Sequence, residues 1–251
     1  MRRRRVEALP HRQVSGTAAN ADGTLALMAP GSSPGRTSVL ALRHGESEWN
    51  AVGRWQGQAD PPLTDAGMLQ AVAAAKLLGT FDGVYSSSLQ RAAGTAAIIA
   101  EMIGIGPVQL MDDLMENAFG PWQGLTIHEI EEGWPGYLAE HRRPNGAEPI
   151  AEVFARGIRA LRTIAANHPG QEALVITHAG VMRTLHRQLL AASSSSSRST
   201  AAGGDDQASL RFANLGGCWF HVFEDGNVEV GEVVNLIDPQ ASSSTADGDT
   251  L

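Results

Sequence analysis

A single cysteine among 251 residues, Cys218, excludes an intrachain disulfide and fits a reducing compartment. Set in GGCWF, it reads as a small buried apolar residue rather than a catalytic thiol. No stretch approaches the roughly 20 apolar residues that span a bilayer. The MRRRR start is not followed by the apolar core of an export signal, because TAANADGTLALMAPGSSPGR is too polar and broken. Positive charge is scarce outside the leader. Residues 1–37 hold Arg2, Arg3, Arg4, Arg5, Arg12 and Arg36 against Glu7 and Asp22, a net +4, so a chain of −8 overall carries −12 in the remainder. An acidic body argues against nucleic acid, whose binding relies on many Lys and Arg contacts to phosphate. A bound phosphate would have to be met by a local cluster of positive groups. These absences imply a soluble, cytoplasmic protein with neither nucleic-acid nor membrane partners. They leave the oligomeric state open, a homodimer included.

What remains is a globular pattern, with 43% hydrophobic residues available for a core. SVLALR reads as a buried strand, being a short apolar run bounded by Gly and Pro. Thr64 caps a helix whose body is LQAVAAAKLL. GVYSS is a second strand and SLQRAAGTAAIIAEMIG a second helix, with Ser88 as its cap. VQLM is a short third strand. Ile150, Val153, Phe154, Ile158, Leu161 and Ile164 give Pro149 to His168 the apolar face of a long helix. ALVITH is a further buried strand, GVMRTLHRQLL a helix after it, and CWFHVFE with NVEVGEVVNL a hairpin around Asp225-Gly226. This alternation predicts an α/β fold, a three-layer αβα sandwich on a mostly parallel sheet. The domain is expected over 37–238. Residues 1–36 read as a disordered leader, or as sequence upstream of a start at Met28. The Ser-rich segment 192–207 reads as a flexible insertion and 239–251 as a disordered tail.

Ligands in open α/β sheets sit at the carboxyl ends of strands. Arg43-His44 ends the first strand, and Thr177-His178-Ala179-Gly180 ends ALVITH 134 residues after His44. Ser86-Ser87-Ser88-Leu89-Gln90-Arg91 follows GVYSS. Three strands thus deliver two histidines and two arginines to one rim, the cationic cluster that the acidic body otherwise lacks.

These segments resemble the histidine phosphatase superfamily, the phosphoglycerate-mutase-like proteins. RHGESEWN followed by GRWQGQADPPLTDAG matches its RHG signature, SSSLQRAAGTA its second motif, MENAFGPWQGLT its acidic motif and THAGVMR its last. All four occur in family order over roughly residues 38–236. The resemblance implies that His44 attacks phosphorus and carries a phosphohistidine. Arg43, Arg91 and His178 would then stabilise the equatorial oxygens, and Glu116 would act as acid and then base. It further implies substrate contacts from Asn50, Gln56, Gly57 and Ala179, and a small phosphorylated substrate without metal or other cofactor.

Simpler readings apply elsewhere. Metal ligation by His44 and His178 lacks a third ligand at short spacing, and neighbouring arginines would repel the ion. Glu46 and Glu48 read as structural or solvated. His11, His128, His141, His168, His186 and His221 have no motif around them. Trp49, Trp55 and Trp122 are core anchors by composition, with Trp122 the one expected nearest the substrate. The family's true mutases carry a long insertion after the acidic motif. Here that stretch is short and contains Arg142-Arg143-Pro144-Asn145-Gly146-Ala147-Glu148, which favours hydrolysis. A mutase is the alternative, and a non-enzymatic phospho-ligand module a more distant one.

Overall fold

A computed structural model describes residues 18–19, 25–26, 35–196 and 210–237. Two short strands, β1 (Ala18–Ala19) and β2 (Leu25–Ala26), pair antiparallel, so the leader expected to lack structure contains a small ladder. The rest of that leader up to 34, residues 197–207 of the Ser-rich segment and the tail from 239 lie outside the described residues.

The main sheet contains β3 (Arg36–Arg43), β4 (Gly83–Ser87), β5 (Gln109–Met111), β6 (Glu172–Thr177), β7 (Gly216–Phe223) and β8 (Val228–Asn235). Their order is β5-β4-β6-β3-β7-β8. The pairs β4–β5, β4–β6 and β3–β6 are parallel, whereas β3–β7 and β7–β8 are antiparallel. The helices are α1 (Glu48–Ala51), α2 (Asp65–Ala75), α3 (Gln90–Ile103), α4 (Ile127–Gly133), α5 (Ile150–Asn167) and α6 (Ala179–Ser196).

Strand β3 is buried on both faces, which is why it reads as an apolar run. Val39 and Ala41 join the core formed with Val153, Leu161 and Ile164 of α5 and Val181, Met182 and Leu185 of α6. Leu40 and Leu42 join the opposite core, with Ala71 and Ala74 of α2 and Ala92, Ala96 and Ile99 of α3. The sheet is therefore the middle layer of an αβα sandwich. A third cluster, mostly aromatic, joins Trp55, Phe119, Trp122 and Ile130.

Local signals mostly hold. The Thr64 hydroxyl accepts from Gly67 N, as an N-cap should. Ser88 does not cap α3; Leu89 occupies that position without a side-chain bond, and Ser88 Oγ donates instead to the Asp112 carboxylate. Helix α6 continues through Ser196, overriding the insertion boundary expected at 192. The hydroxyls of Ser193 and Ser194 both donate to the Leu190 carbonyl at 2.9 Å, back-bonding that lets serines follow a helix already in progress.

Candidate active site

The parallel register of β3 and β6 pairs Arg43 with Thr177, and His44 N donates to the Thr177 carbonyl at 3.0 Å. Strand β4 flanks β6 on its other side. The ends of three adjacent strands thereby bring His44, His178 and the loop before Arg91 together. The His44 and His178 rings stand edge to face, with centroids 5.1 Å apart.

His44 is the most closely determined group. Its Nδ1 is 2.6 Å from the Gly45 carbonyl, which can only accept, so the ring proton belongs on Nδ1 and the lone pair on Nε2. Arg91 Nε donates to that Nε2 at 3.3 Å. Burial, then the charges of Arg91 and Arg43, hold the His44 pKa well below the usual 6.5, against a smaller upward pull from the Gly45 bond. The ring is therefore neutral at neutral pH. Around it, Asn214 Nδ2 donates to the His44 carbonyl at 2.9 Å, and Arg43 Nη1 to the Phe212 carbonyl at 2.9 Å. Gly45 N donates to Thr95 Oγ1, whose proton goes to the Arg91 carbonyl, tying the first two motifs together. A Cβ on Gly45 would meet the Gly67 carbonyl at 2.5 Å, so the RHG and TDAG loops touch backbone to backbone and only glycine fits.

Arg91 is wholly buried. Its Nη1 donates to the Ala59 carbonyl and its Nη2 to the Gly57 carbonyl, each at 2.8 Å. Gly57, expected against the substrate, thus acts on Arg91 through its backbone. Asn50 Oδ1 accepts from Ser47 N at 3.2 Å, closing a capping box on α1. Ser47 Oγ lies 3.0 Å from Asn50 Oδ1 and 2.8 Å from Gln56 Oε1. Both amides consequently have their oxygen ends on Ser47, and the amino end of each is directed away from it.

His178 Nε2 is 2.8 Å from Ser87 Oγ, which accepts from Leu89 N. Donation by Ser87 to Nε2 places the ring proton on Nδ1, a buried atom with no partner among the described residues. Burial, followed by the charges of Arg91, His44, Arg156 and Arg43, keeps His178 neutral too.

Glu116 is 3% exposed. Its Oε1 accepts from Asn117 N at 2.7 Å and its Oε2 from Gly180 N, in the first turn of α6, at 3.1 Å. A Cβ on Gly180 would stand 2.5 Å from Oε1, so the glycine of THAGVMR makes room for the acid. Ala179, expected at the substrate, begins the same helix and is buried.

Two residues given no role in the sequence analysis brace the loop that carries Glu116. Arg156 of α5 donates to the Asp113, Met115 and Glu116 carbonyls and pairs with the Glu148 carboxylate at 2.7 Å. The other Glu148 oxygen accepts from Ala118 N at 3.1 Å. Trp122 is fully buried in the aromatic cluster, its ring 5.4 Å from that of Trp55. Glu46 is structural, accepting from Thr64 Oγ1 at 2.8 Å, and Glu48 is exposed. Cys218 is buried, with its thiol pKa pushed up by burial. His168 bonds the Tyr85 hydroxyl and His221 the Ser38 hydroxyl, away from the rim, and His11 lies outside the described residues.

The chain is similar to several known phosphatases. A metal-independent phosphoserine phosphatase of Arabidopsis thaliana is 38% identical over 163 residues, 61% of this chain and 68% of that protein. A glucosyl-3-phosphoglycerate phosphatase of Mycobacterium tuberculosis is 33% identical over 167 residues, 61% of this chain and 74% of that protein. The solved structure of a mycobacterial glucosyl-3-phosphoglycerate phosphatase in complex with VO3 superposes with a TM-score of 0.64 at 28% identity, covering 80% of this chain and 98% of that one. The model of the histidine phosphatase superfamily (branch 1) matches residues 39–218. That match covers all four motifs whose side chains converge at the rim, and the chain belongs to this superfamily.

Proposed function

We propose that the chain is a metal-independent phosphomonoesterase that hydrolyses a small phosphorylated metabolite through a phosphohistidine on His44. The observation that carries this reading is the buried, neutral His44 ring, whose Nε2 lone pair lies 3.3 Å from the Arg91 guanidinium. A neutral imidazole can attack phosphorus, and the guanidinium beside it can receive the phosphoryl oxygens.

Nε2 of His44 forms the P–N bond as the ester P–O bond breaks. The positive charge on the ring is met by the Gly45 carbonyl at Nδ1. Arg43, Arg91 and the Nδ1–H of His178 stabilise the equatorial oxygens, with the Asn50 and Gln56 amides as further donors. Glu116, protonated at the start, gives its proton to the leaving alkoxide. As a carboxylate it then takes a proton from water while the oxygen of that water attacks phosphorus; the P–N bond breaks, and its electrons return to Nε2. Gly57 serves this cycle by fixing Arg91, and Ala179 by starting the helix that holds Glu116.

The short connection from the acidic motif to α5, residues 125–149, leaves no large cap for retaining an intermediate, which favours water as acceptor over a mutase transfer. The relatives named above are phosphatases of small phosphate esters, in line with this choice. The same charges that hold protons off His44 and His178 disfavour a metal cation there. No described helix is long and apolar enough to cross a membrane, and with the lone thiol buried we place the enzyme in the cytoplasm. A hydrolysis screen over phosphorylated metabolites with EDTA present tests the reading. Turnover persists with the chelator and is inhibited by orthovanadate; loss with EDTA and recovery with zinc refutes it.

A further inference from the structure

Gly45 separates two peptide units, and side chains from distant parts of the chain grip both. The unit joining His44 to Gly45 has its carbonyl bonded by Asn214 Nδ2 at 2.9 Å, and its N–H donates to Thr95 Oγ1 at 3.0 Å. A trans peptide points these two groups in opposite directions, so Asn214 and Thr95 hold one rigid plane from two sides. The unit joining Gly45 to Glu46 has its N–H donating to Gln70 Oε1 at 2.8 Å. Its carbonyl, on the other side of that plane, is the one 2.6 Å from His44 Nδ1. Gln70 lies on α2, Thr95 on α3 and Asn214 in the loop before β7, so three elements converge on a single dipeptide.

The grips are themselves firmly placed. Thr95 and Asn214 are buried. Thr95 gives its own proton to the Arg91 carbonyl at 2.7 Å, which leaves its oxygen to accept from Gly45 N. Asn214 precedes Leu215, whose φ of 58° lies in the left-handed region that residues other than glycine seldom adopt. Leu215 N donates to the Arg43 carbonyl at 3.0 Å, and its side chain is wholly buried in the core shared with α2 and α3. Backbone persists in such a conformation only where its surroundings over-determine it.

These grips decide where the ring proton sits. A neutral imidazole carries its proton on one of two nitrogens, and the bond made by one nitrogen fixes the state of the other. The Gly45 carbonyl holds the proton on Nδ1 only while its peptide plane faces the ring. Glycine by itself resists turning of that plane very little. If the plane turns, the proton is free to pass to Nε2, and the lone pair that attacks phosphorus is lost. Arg91 Nε also favours a bare Nε2, but across a longer 3.3 Å.

We infer that Gln70, Thr95 and Asn214 are positioning residues that set the tautomer of His44 by fixing the two peptide planes on either side of Gly45. They act through the backbone of the nucleophile and take no part in bond breaking. The inference rests on the assignment of His44 as nucleophile.

Gln70→Met, Thr95→Val and Asn214→Leu each remove one grip at similar volume, whereas Gln70→Glu and Thr95→Ser keep an acceptor oxygen. Nitrogen-15 NMR of the histidine rings reads the tautomer, at a pH above the ordinary histidine pKa of 6.5, with the His44 signals assigned by their absence from His44→Ala. The unaltered protein should show Nδ1 protonated and Nε2 bare. Each removal should move proton occupancy toward Nε2 and slow single-turnover phosphorylation by p-nitrophenyl phosphate roughly 10-fold or more, the loss expected for an unmade buried hydrogen bond, with KM little changed. Gln70→Glu and Thr95→Ser should recover both readings. A proton found on Nε2 in the unaltered protein overturns the inference. So do removals that slow the enzyme while the tautomer stays, because loosened packing alone would do that. A tautomer that stays in any one of the three overturns the joint clamp. Melting curves report folding, and Gln70 is only half-buried, so its variants carry the test even where a buried site fails to fold. The NMR reading needs no turnover. The expected tautomers in a protein that hydrolyses no ester would refute the phosphatase reading and keep the clamp; hydrolysis through His44 with the tautomer unmoved would do the reverse.

Discussion

Arg91 Nε donates to His44 Nε2 at 3.3 Å while the other two nitrogens of the same guanidinium bond the Gly57 and Ala59 carbonyls. The arginine is thus fixed before any phosphate arrives, and it points at the lone pair that must attack. Arg91→Ala should lower kcat/KM by about 3 kcal/mol, the scale for losing a preorganised donor to transition-state charge. It should also reduce stability by about 1–3 kcal/mol, because two backbone carbonyls lose their donor. Arg91→Lys should recover little of either, since one ammonium cannot serve both carbonyls and the phosphate. Steady-state kinetics and denaturant melts on both variants check this; a near-normal Arg91→Lys would contradict it.

Glu116 can be separated from a bystander by the leaving group. An alkyl phosphate departs as a basic alkoxide and needs a proton, whereas p-nitrophenolate does not. Glu116→Gln should slow phosphorylation by alkyl phosphates by roughly 10²–10⁴ and by p-nitrophenyl phosphate far less. The variant carries a further penalty, because its amide NH2 must face either Asn117 N or Gly180 N, both donors. Gly180→Ala should give the same leaving-group pattern by displacing the carboxylate, since the new Cβ would sit 2.5 Å from Oε1. Single-turnover measurements resolve the step; equal losses on both esters would remove Glu116 from the role of acid.

Arg156→Met tests the clamp behind the acid. With side chains only 10% and 13% exposed, the Arg156–Glu148 pair is largely withdrawn from water. Removing one partner of such a pair costs about 3–5 kcal/mol. Melting should show this loss, and the folded fraction should have lost more kcat on alkyl esters than on p-nitrophenyl phosphate. A stable variant with unchanged kcat would show that Glu116 needs no such support.

The histidines set the pH behaviour. His44, His178 and His221 all have folded pKa values below 6.5, that of His221 lowered to about 4 by burial and then by Arg36. Below 6.5 the unfolded chain therefore takes up protons that the folded chain refuses. Stability from these groups is complete above about 6.5 and is lost as the pH falls toward their folded values. The acidic limb of kcat/KM should likewise lie well below 6.5, because His44 stays neutral there. Melts and kinetics from pH 8 to 4 follow both, and His221→Gln should flatten part of the stability slope without moving the kinetic limb.

Much of this site is legible in the sequence because its groups sit at strand ends. The runs SVLALR and ALVITH announce buried strands, so the residues that end them, His44 and His178, fall on a common rim once the strands are parallel. Thr64 signals its cap by chemistry that acts over three residues. Asn214 gives no such signal. It reaches the His44 carbonyl from 170 positions away, through a loop with no periodicity. Glu148 and Arg156 lie eight positions apart with no motif to join them, and only the packing of α5 against the acidic loop makes them a clamp. Trp122 shows only as a large apolar residue in sequence; its place in a cluster with Trp55, Phe119 and Ile130 is set by tertiary packing. The helical serines at the end of α6 defeat composition for a different reason: elongating an existing helix is far easier than nucleating one.

The central claim is that phosphate passes through His44. Rapid acid-free quenching of the enzyme with an excess of a hydrolysable ester, followed by phosphorus NMR and peptide mapping, should find acid-labile phosphate on Nε2 of His44. It should disappear on chase with water, at the rate of turnover. His44→Ala should retain the fold and carry neither the label nor activity, since among the described residues the ring's hydrogen bonds reach only Gly45 and Arg91. Turnover that persists in His44→Ala, or label found on another residue, would contradict the account.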